Sequence, residues 1–151
     1  MTTTSADMRA AYTAAQAITG GTQTVADMAL LLASKREILV DVIPEATAIT
    51  ATARKISFRL PYAFKLTDVT GSLGTASTSG AVTVDINEAG TTVLSTKLTF
   101  DQDELTSSTA AAAEVISDSV IAADAEITID VDGAGTGAKG LKVWLIGYRQ
   151  S

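Results

Sequence analysis

Three segments of this chain alternate apolar and polar residues with a period of two, a pattern that fits β-strands with one wet face and no helix. In the first, Ile56, Phe58 and Leu60 face one way while Lys55, Ser57 and Arg59 face the other, and Pro61 closes the run. Val82, Val84 and Ile86 oppose Thr83, Asp85 and Asn87 in the second; Ile127, Ile129 and Val131 oppose Glu126, Thr128, Asp130 and Asp132 in the third. A further run sets Ile38, Val40 and Val42 against Leu39, Asp41 and Ile43 and is expected to stop at Pro44. Glu45 to Ala53 reads as a connection or an edge strand. Thr92 to Phe100 reads as one strand, entered through the turn Glu88-Ala89-Gly90. The last strand, Leu141 to Tyr148, is apolar on both faces, which places it centrally in its sheet or beneath the N-terminal arm.

Between the strands lie glycine- and serine-rich punctuators, Gly71 to Gly74, Ser77 to Gly80 and Gly133 to Gly140, spaced as antiparallel folds require. Several short strands with no long helix between them predict a mainly β domain over residues 37–151, an antiparallel β-sandwich of jelly-roll type. Residues 1–36 read differently. Met8, Ala11, Tyr12 and Ala15 recur at helical spacing, and Val25, Met28, Leu31 and Leu32 repeat it after the Gly20-Gly21 break. Thr4 with Asp7, and Thr24 with Asp27, stand where an N-cap and an acidic third residue would satisfy free amide donors. Two such short helices must cover their apolar stripes with the main domain or with another subunit. Met8, Tyr12, Val25, Met28, Leu31 and Leu32 are therefore the candidate interface residues.

Composition narrows the chemistry. At 151 residues the chain supports one self-sufficient core. It has no cysteine, so disulfides, zinc–thiolate sites and thiol nucleophiles are excluded; it has no histidine, which removes the commonest general base and metal ligand. An enzyme is not expected, nor is a cofactor or a metal. The net charge of −6 repels phosphate backbones and anionic headgroups, so nucleic acid and membrane are not expected partners. The start, Met1 to Asp7, lacks the basic region and apolar run of a secretory signal, and Met28 to Ala33 is too short to cross a bilayer. A cytoplasmic product is expected, unless it leaves within an assembly.

Three patterns invite a chemical reading. Gly135-Thr-Gly137-Ala-Lys-Gly140 spells a dinucleotide fingerprint, but it lies between two strands and lacks the helix N-terminus that holds a pyrophosphate. Asp130 and Asp132 share a strand face about 7 Å apart, close to an inverting glycosidase's spacing, although any solvated strand face produces the same pair. With Asp101 and Asp103 they would offer calcium hard oxygen ligands, yet Ala134 stands where an EF-hand loop needs a third ligand. Among the aromatics, Phe64 is expected in the core, whereas Trp144 and Tyr148 are candidates for stacking on a sugar if the strand exposes them.

The runs Phe64 to Ala76, Gly80 to Leu98, Asp124 to Asp132 and Gly140 to Arg149 together resemble a β-sandwich module of tailed-bacteriophage structural proteins. The resemblance spans Lys55 to Arg149, about two-thirds of the chain. It implies a virion component without catalytic residues, either a capsid decoration (cement) protein or a head-fibre or tail-associated module that touches the host. The implied partners are the major capsid protein and copies of the chain itself, a trimer by analogy with many shells. The implied place is the particle surface after assembly in the bacterial cytoplasm. Two departures stand out: Ala110 to Ala113 replaces a proline-bearing loop, and the N-terminal arm lies outside the module.

Overall fold

A half-buried sheet selects β-branched and aromatic residues on its inner face, and the alternating runs assemble accordingly. The computed structural model describes residues 35–150, a mainly β chain with antiparallel sheets. The chain divides into two units at Lys35–Arg36, and the second, Arg36–Ser151, holds the fold described below. The expected helical arm, with Met8, Tyr12, Val25, Met28, Leu31 and Leu32, lies outside the described residues.

The strands are β1 (Lys35–Ala48), β2 (Thr52–Arg59), β3 (Phe64–Thr75), β4 (Val82–Glu88), β5 (Thr91–Thr92), β6 (Leu94–Thr96), β7 (Leu98–Phe100), β8 (Val115–Ile116), β9 (Val120–Ile121), β10 (Glu126–Ala134) and β11 (Lys139–Arg149). A 3-10 turn, Ser107–Thr109, interrupts the segment between β7 and β8. One sheet has the order β1-β11-β3-β9; a second has the order β2-β10-β4-β5, with β7 also on β4; β6 and β8 pair separately.

In the second sheet β10 is central, and its Ile129 stands between Ile56 of β2 and Ile86 of β4. In the first, β11 runs against β3 from Lys139–Thr75 to Arg149–Phe64, so its apolar character on both faces does go with a central position. Its inward residues Leu141, Val143 and Leu145 are fully buried. Near the end of this ladder β3 carries an extra residue, Thr67, because Ile146 pairs with Asp68 while Gly147 pairs with Leu66. Thr67 Oγ1 donates to the Ile146 carbonyl at 3.1 Å. Only glycine fits at 147: a Cβ there would stand 2.0 Å from the Lys65 carbonyl oxygen.

Inward residues of both sheets share one hydrophobic core, with Phe64, Phe100, Ile127 and Ile129 wholly enclosed, each contributing about 1.5–3 kcal/mol by burial. The Phe100 ring on β7 reaches Gly71 of β3, tying the second sheet to the first. Phe64 lies in the core as its sequence context suggested.

Two expectations need correction. Pro44 does not end the first strand; β1 continues to Ala48. It is the edge strand of its sheet, where a residue without an N–H costs no ladder bond, and Ile43 turns inward beside Val42 just before it. Thr92 to Phe100 is not one strand but β5, β6 and β7. Val93 and Leu94 are both buried, so the alternation fails there, and the chain leaves β4 to pair with β8 before returning.

Candidate functional site

The acidic strand face singled out from sequence lies on the outside of the β2-β10-β4-β5 sheet, and its carboxylates are engaged by the fold. Asp130 Oδ1 accepts the Arg54 backbone N–H at 2.7 Å, holding the edge strand at a residue with positive φ. Asp132 Oδ2 accepts from Lys97 Nζ at 2.6 Å, and the same ammonium lies 3.2 Å from Asp85 Oδ2. Asp85 is buried directly across the ladder from Asp130, a like-charge pairing that would be unfavourable alone. Its other oxygen accepts from the Thr92 hydroxyl at 2.5 Å and from the Ile86 N–H at 2.9 Å. The hydrogen bonds from Lys97 to Asp132, then to Asp85, hold the lysine pKa above its usual 10.5.

Asp101 and Asp103 do not join this face. Asp101 Oδ2 accepts the Ala111 N–H at 2.8 Å, and Asp103 Oδ2 accepts from Gln102 Nε2 at 3.2 Å. Among the described residues no group of three or more acidic side chains converges as a metal would require. The glycine-rich run connects β10 to β11, strand to strand, and Thr136 N–H donates to Ser77 Oγ and the Ser79 carbonyl, both at 2.9 Å. Its role here is to carry the chain from one sheet to the other.

A different cluster occupies the outer face of the β1-β11-β3-β9 sheet. Between β3 and the segment carrying the 3-10 turn is a cleft of about 310 Å³. Asp68 and Thr70 form its sheet side, Ser107 and Ser108 its turn side, and Ala110, Ala113 and Glu114 its far wall. The turn is fixed to the strand: Ser107 Oγ accepts the Gly71 N–H at 2.9 Å, and Thr70 Oγ1 lies 3.2 Å from Ser108 Oγ. Thr106 caps the turn by accepting from the Ser108 N–H. These bonds set hydroxyl groups on a rigid base. Asp68 and Glu114, by contrast, make no side-chain hydrogen bond or ion pair among the described residues, so their oxygens remain available.

Trp144 sits directly across the ladder from Thr70 and therefore on the same outer face, with its side chain about 5 Å from Thr70 at Cβ. It is half-buried, as is Tyr148, which lies opposite Lys65 on that face. Four residues along one strand put the two rings about 13 Å apart, so they are separate platforms; Trp144 neighbours Thr70 across the ladder, and neither ring lines the cleft. Lys142, on the same face, pairs with Glu45 of β1, and that bond raises the lysine pKa. Arg149 stacks 5.0 Å over the Tyr62 ring.

Sequence reasoning named Trp144 and missed Asp68, Thr70, Ser107, Ser108 and Glu114. The signal available was the hydroxyl run Thr106-Ser-Ser-Thr109 just before the alanine stretch. Comparison with protein-family models, with curated proteins and with solved structures finds no match.

Proposed function

We propose that this chain is a non-catalytic structural protein of a tailed-phage particle, a capsid decoration protein that binds the outer shell and stabilises it. The fold is read as a jelly-roll-like sandwich, because its two main sheets contribute to one core. The observation that carries the reading is the flank of β3. Segment 105–121 runs along that strand, from the Leu73–Leu105 backbone bond to the Phe64–Ile121 pair, and presents Leu105, Val115 and Val120 at 52%, 49% and 51% exposure. Large apolar side chains along one flank suit burial against a partner. About 800 Å² per contact, repeated over a symmetric shell, would resist internal pressure. The partners are then the major capsid protein and further copies of the chain, and the location is the particle surface. Cryo-electron microscopy of the intact particle tests this: many copies on the shell with the 105–121 flank buried support it, and absence from the shell overturns it.

A second reading, a head-fibre or tail-associated module attaching to cell-surface glycans, is favoured by Trp144, half-buried on the sheet face that also carries a polar cleft. An aromatic ring on one face with hydroxyls and free carboxylates offers a sugar one apolar face and several hydrogen-bonding partners.

A further inference from the structure

We propose that the cleft bounded by Asp68, Thr70, Ser107, Ser108 and Glu114 is a subsite for an uncharged sugar ring, a neutral hexose or an N-acetylhexosamine. The proposal deepens the attachment reading and rests on it. Size is the first argument. At about 310 Å³ the cleft stands at the small end of ligand pockets, which begin near 300 Å³, and is roughly ten times the share of one water. It therefore suits a ring with its hydroxyls better than a lone ion.

Hydrogen-bonding capacity is the second. A sugar hydroxyl both donates and accepts. Asp68 and Glu114 are acceptors without partners, while the Thr70 and Ser108 hydroxyls, 3.2 Å apart, can reorient to donate or accept. The base that carries them is fixed by the Ser107–Gly71 bond, so little ordering is left for the ligand to impose. Charge is the third. Two carboxylates with no cation among the lining residues repel sialic acids, uronic acids and phosphorylated sugars, which removes anionic rings from the class. Ala110 and Ala113 of the far wall supply the apolar surface on which the C–H face of such a ring can lie.

The test is a titration of the full-length, isotope-labelled protein followed by amide and indole NMR. The probes are N-acetylglucosamine, glucose and glucuronate, each to about 50 mM, since single-ring sites bind in the millimolar range. Shifts confined to Thr70, Ser107, Ser108 and Glu114, given by an uncharged sugar and not by glucuronate, are expected. In the double variant Asp68→Asn with Glu114→Gln, whose unchanged remaining spectrum reports a preserved fold, affinity should fall about tenfold. No shift with either uncharged sugar, shifts elsewhere, or undiminished binding by the double variant overturns the proposal. Calcium chloride alone producing the same shifts overturns it in favour of a cation site. Fluorescent full-length protein on bacterial cells separates the two readings: cell binding with a silent cleft overturns the subsite and leaves attachment standing, whereas sugar binding in the cleft without cell binding supports the subsite and removes attachment.

Discussion

The two outer sheet faces carry the same kinds of residue and put them to opposite uses. On the β2-β10-β4-β5 face, Asp85, Asp130 and Asp132 each hold an internal partner, and Lys97 joins two of them into one network. On the β1-β11-β3-β9 face, Asp68 stands with no side-chain partner beside a cleft, and Glu114 faces it from the turn segment. A carboxylate's neighbours, more than its spacing along a strand, decide whether it serves stability or is available to a ligand. The first face is knit into the fold; the second is presented to solvent.

The strongest way to break this comparison is to remove the platform under the second face. Gly147→Ala would drive a Cβ into the β3 backbone at Lys65, which a rotamer change cannot relieve. A loss of about 3 kcal/mol or more is expected by chemical denaturation, or failure to fold. The counterpart at the other sheet's irregularity is milder. Gly133 marks a register shift between β10 and β4, but there an added Cβ meets its nearest atom, the Ala81 carbonyl oxygen, at 3.3 Å. Gly133→Ala should cost about 1 kcal/mol, since a shift of a few tenths of an ångström relieves it. Equal losses for the two variants would mean that the sheets tolerate crowding alike.

Next in size is the removal of the cation from the knit face. Lys97→Met leaves the buried Asp85 with only the Thr92 hydroxyl and the Ile86 N–H, directly opposite Asp130. Breaking a fully buried pair costs 3–5 kcal/mol, but Lys97 is 42% exposed, so about 2 kcal/mol is expected from the denaturation midpoint. A change under about 0.5 kcal/mol would show the network to be decorative.

Much of this contrast was legible before the fold was known, and the illegible part has a physical cause. β2, β4 and β10 announce themselves because each has one wet face, and β11 reads as central because both its faces are apolar. Val93-Leu94 defeats the pattern, since two consecutive buried residues mean that the chain is changing partners, which no local period reports. Pro44 misleads because a proline stops a central strand and is tolerated in an edge strand; edge status is a property of the sheet. The acidic face was visible as Asp130 and Asp132, but not their engagement, because Lys97 and Arg54 come from segments distant in sequence. The cleft was hidden for the same reason. Asp68 and Thr70 meet Ser107, Ser108 and Glu114 only because a serine hydroxyl some 36 residues away takes the Gly71 N–H.

Alkaline pH sharpens the comparison by a smaller amount. The Lys97 pKa is raised in the folded protein, so its contribution is fully present below the ordinary value of 10.5 and is lost as the pH rises through the higher folded value. As the pH rises through and above 10.5, the natural protein should lose more stability than Lys97→Met does. Parallel pH profiles for the two proteins would contradict the assigned role of the ammonium.

The smallest effect belongs to the open face. Asp68→Asn and Glu114→Gln remove charge from groups that hold no internal partner, so nothing in the fold is left unsatisfied and no cavity opens. Each should change stability by less than about 0.5 kcal/mol. A small gain is the favoured sign, because at a net charge of −6 each substitution removes one negative charge from a chain already in excess. The same isosteric change at Asp85 removes a charge that Lys97 balances and disturbs a three-partner carboxylate, so its cost should exceed that at Asp68 several-fold. Comparable losses at Asp68 and Asp85 would mean that Asp68 has a structural partner after all, and the cleft would then lose its free acceptor.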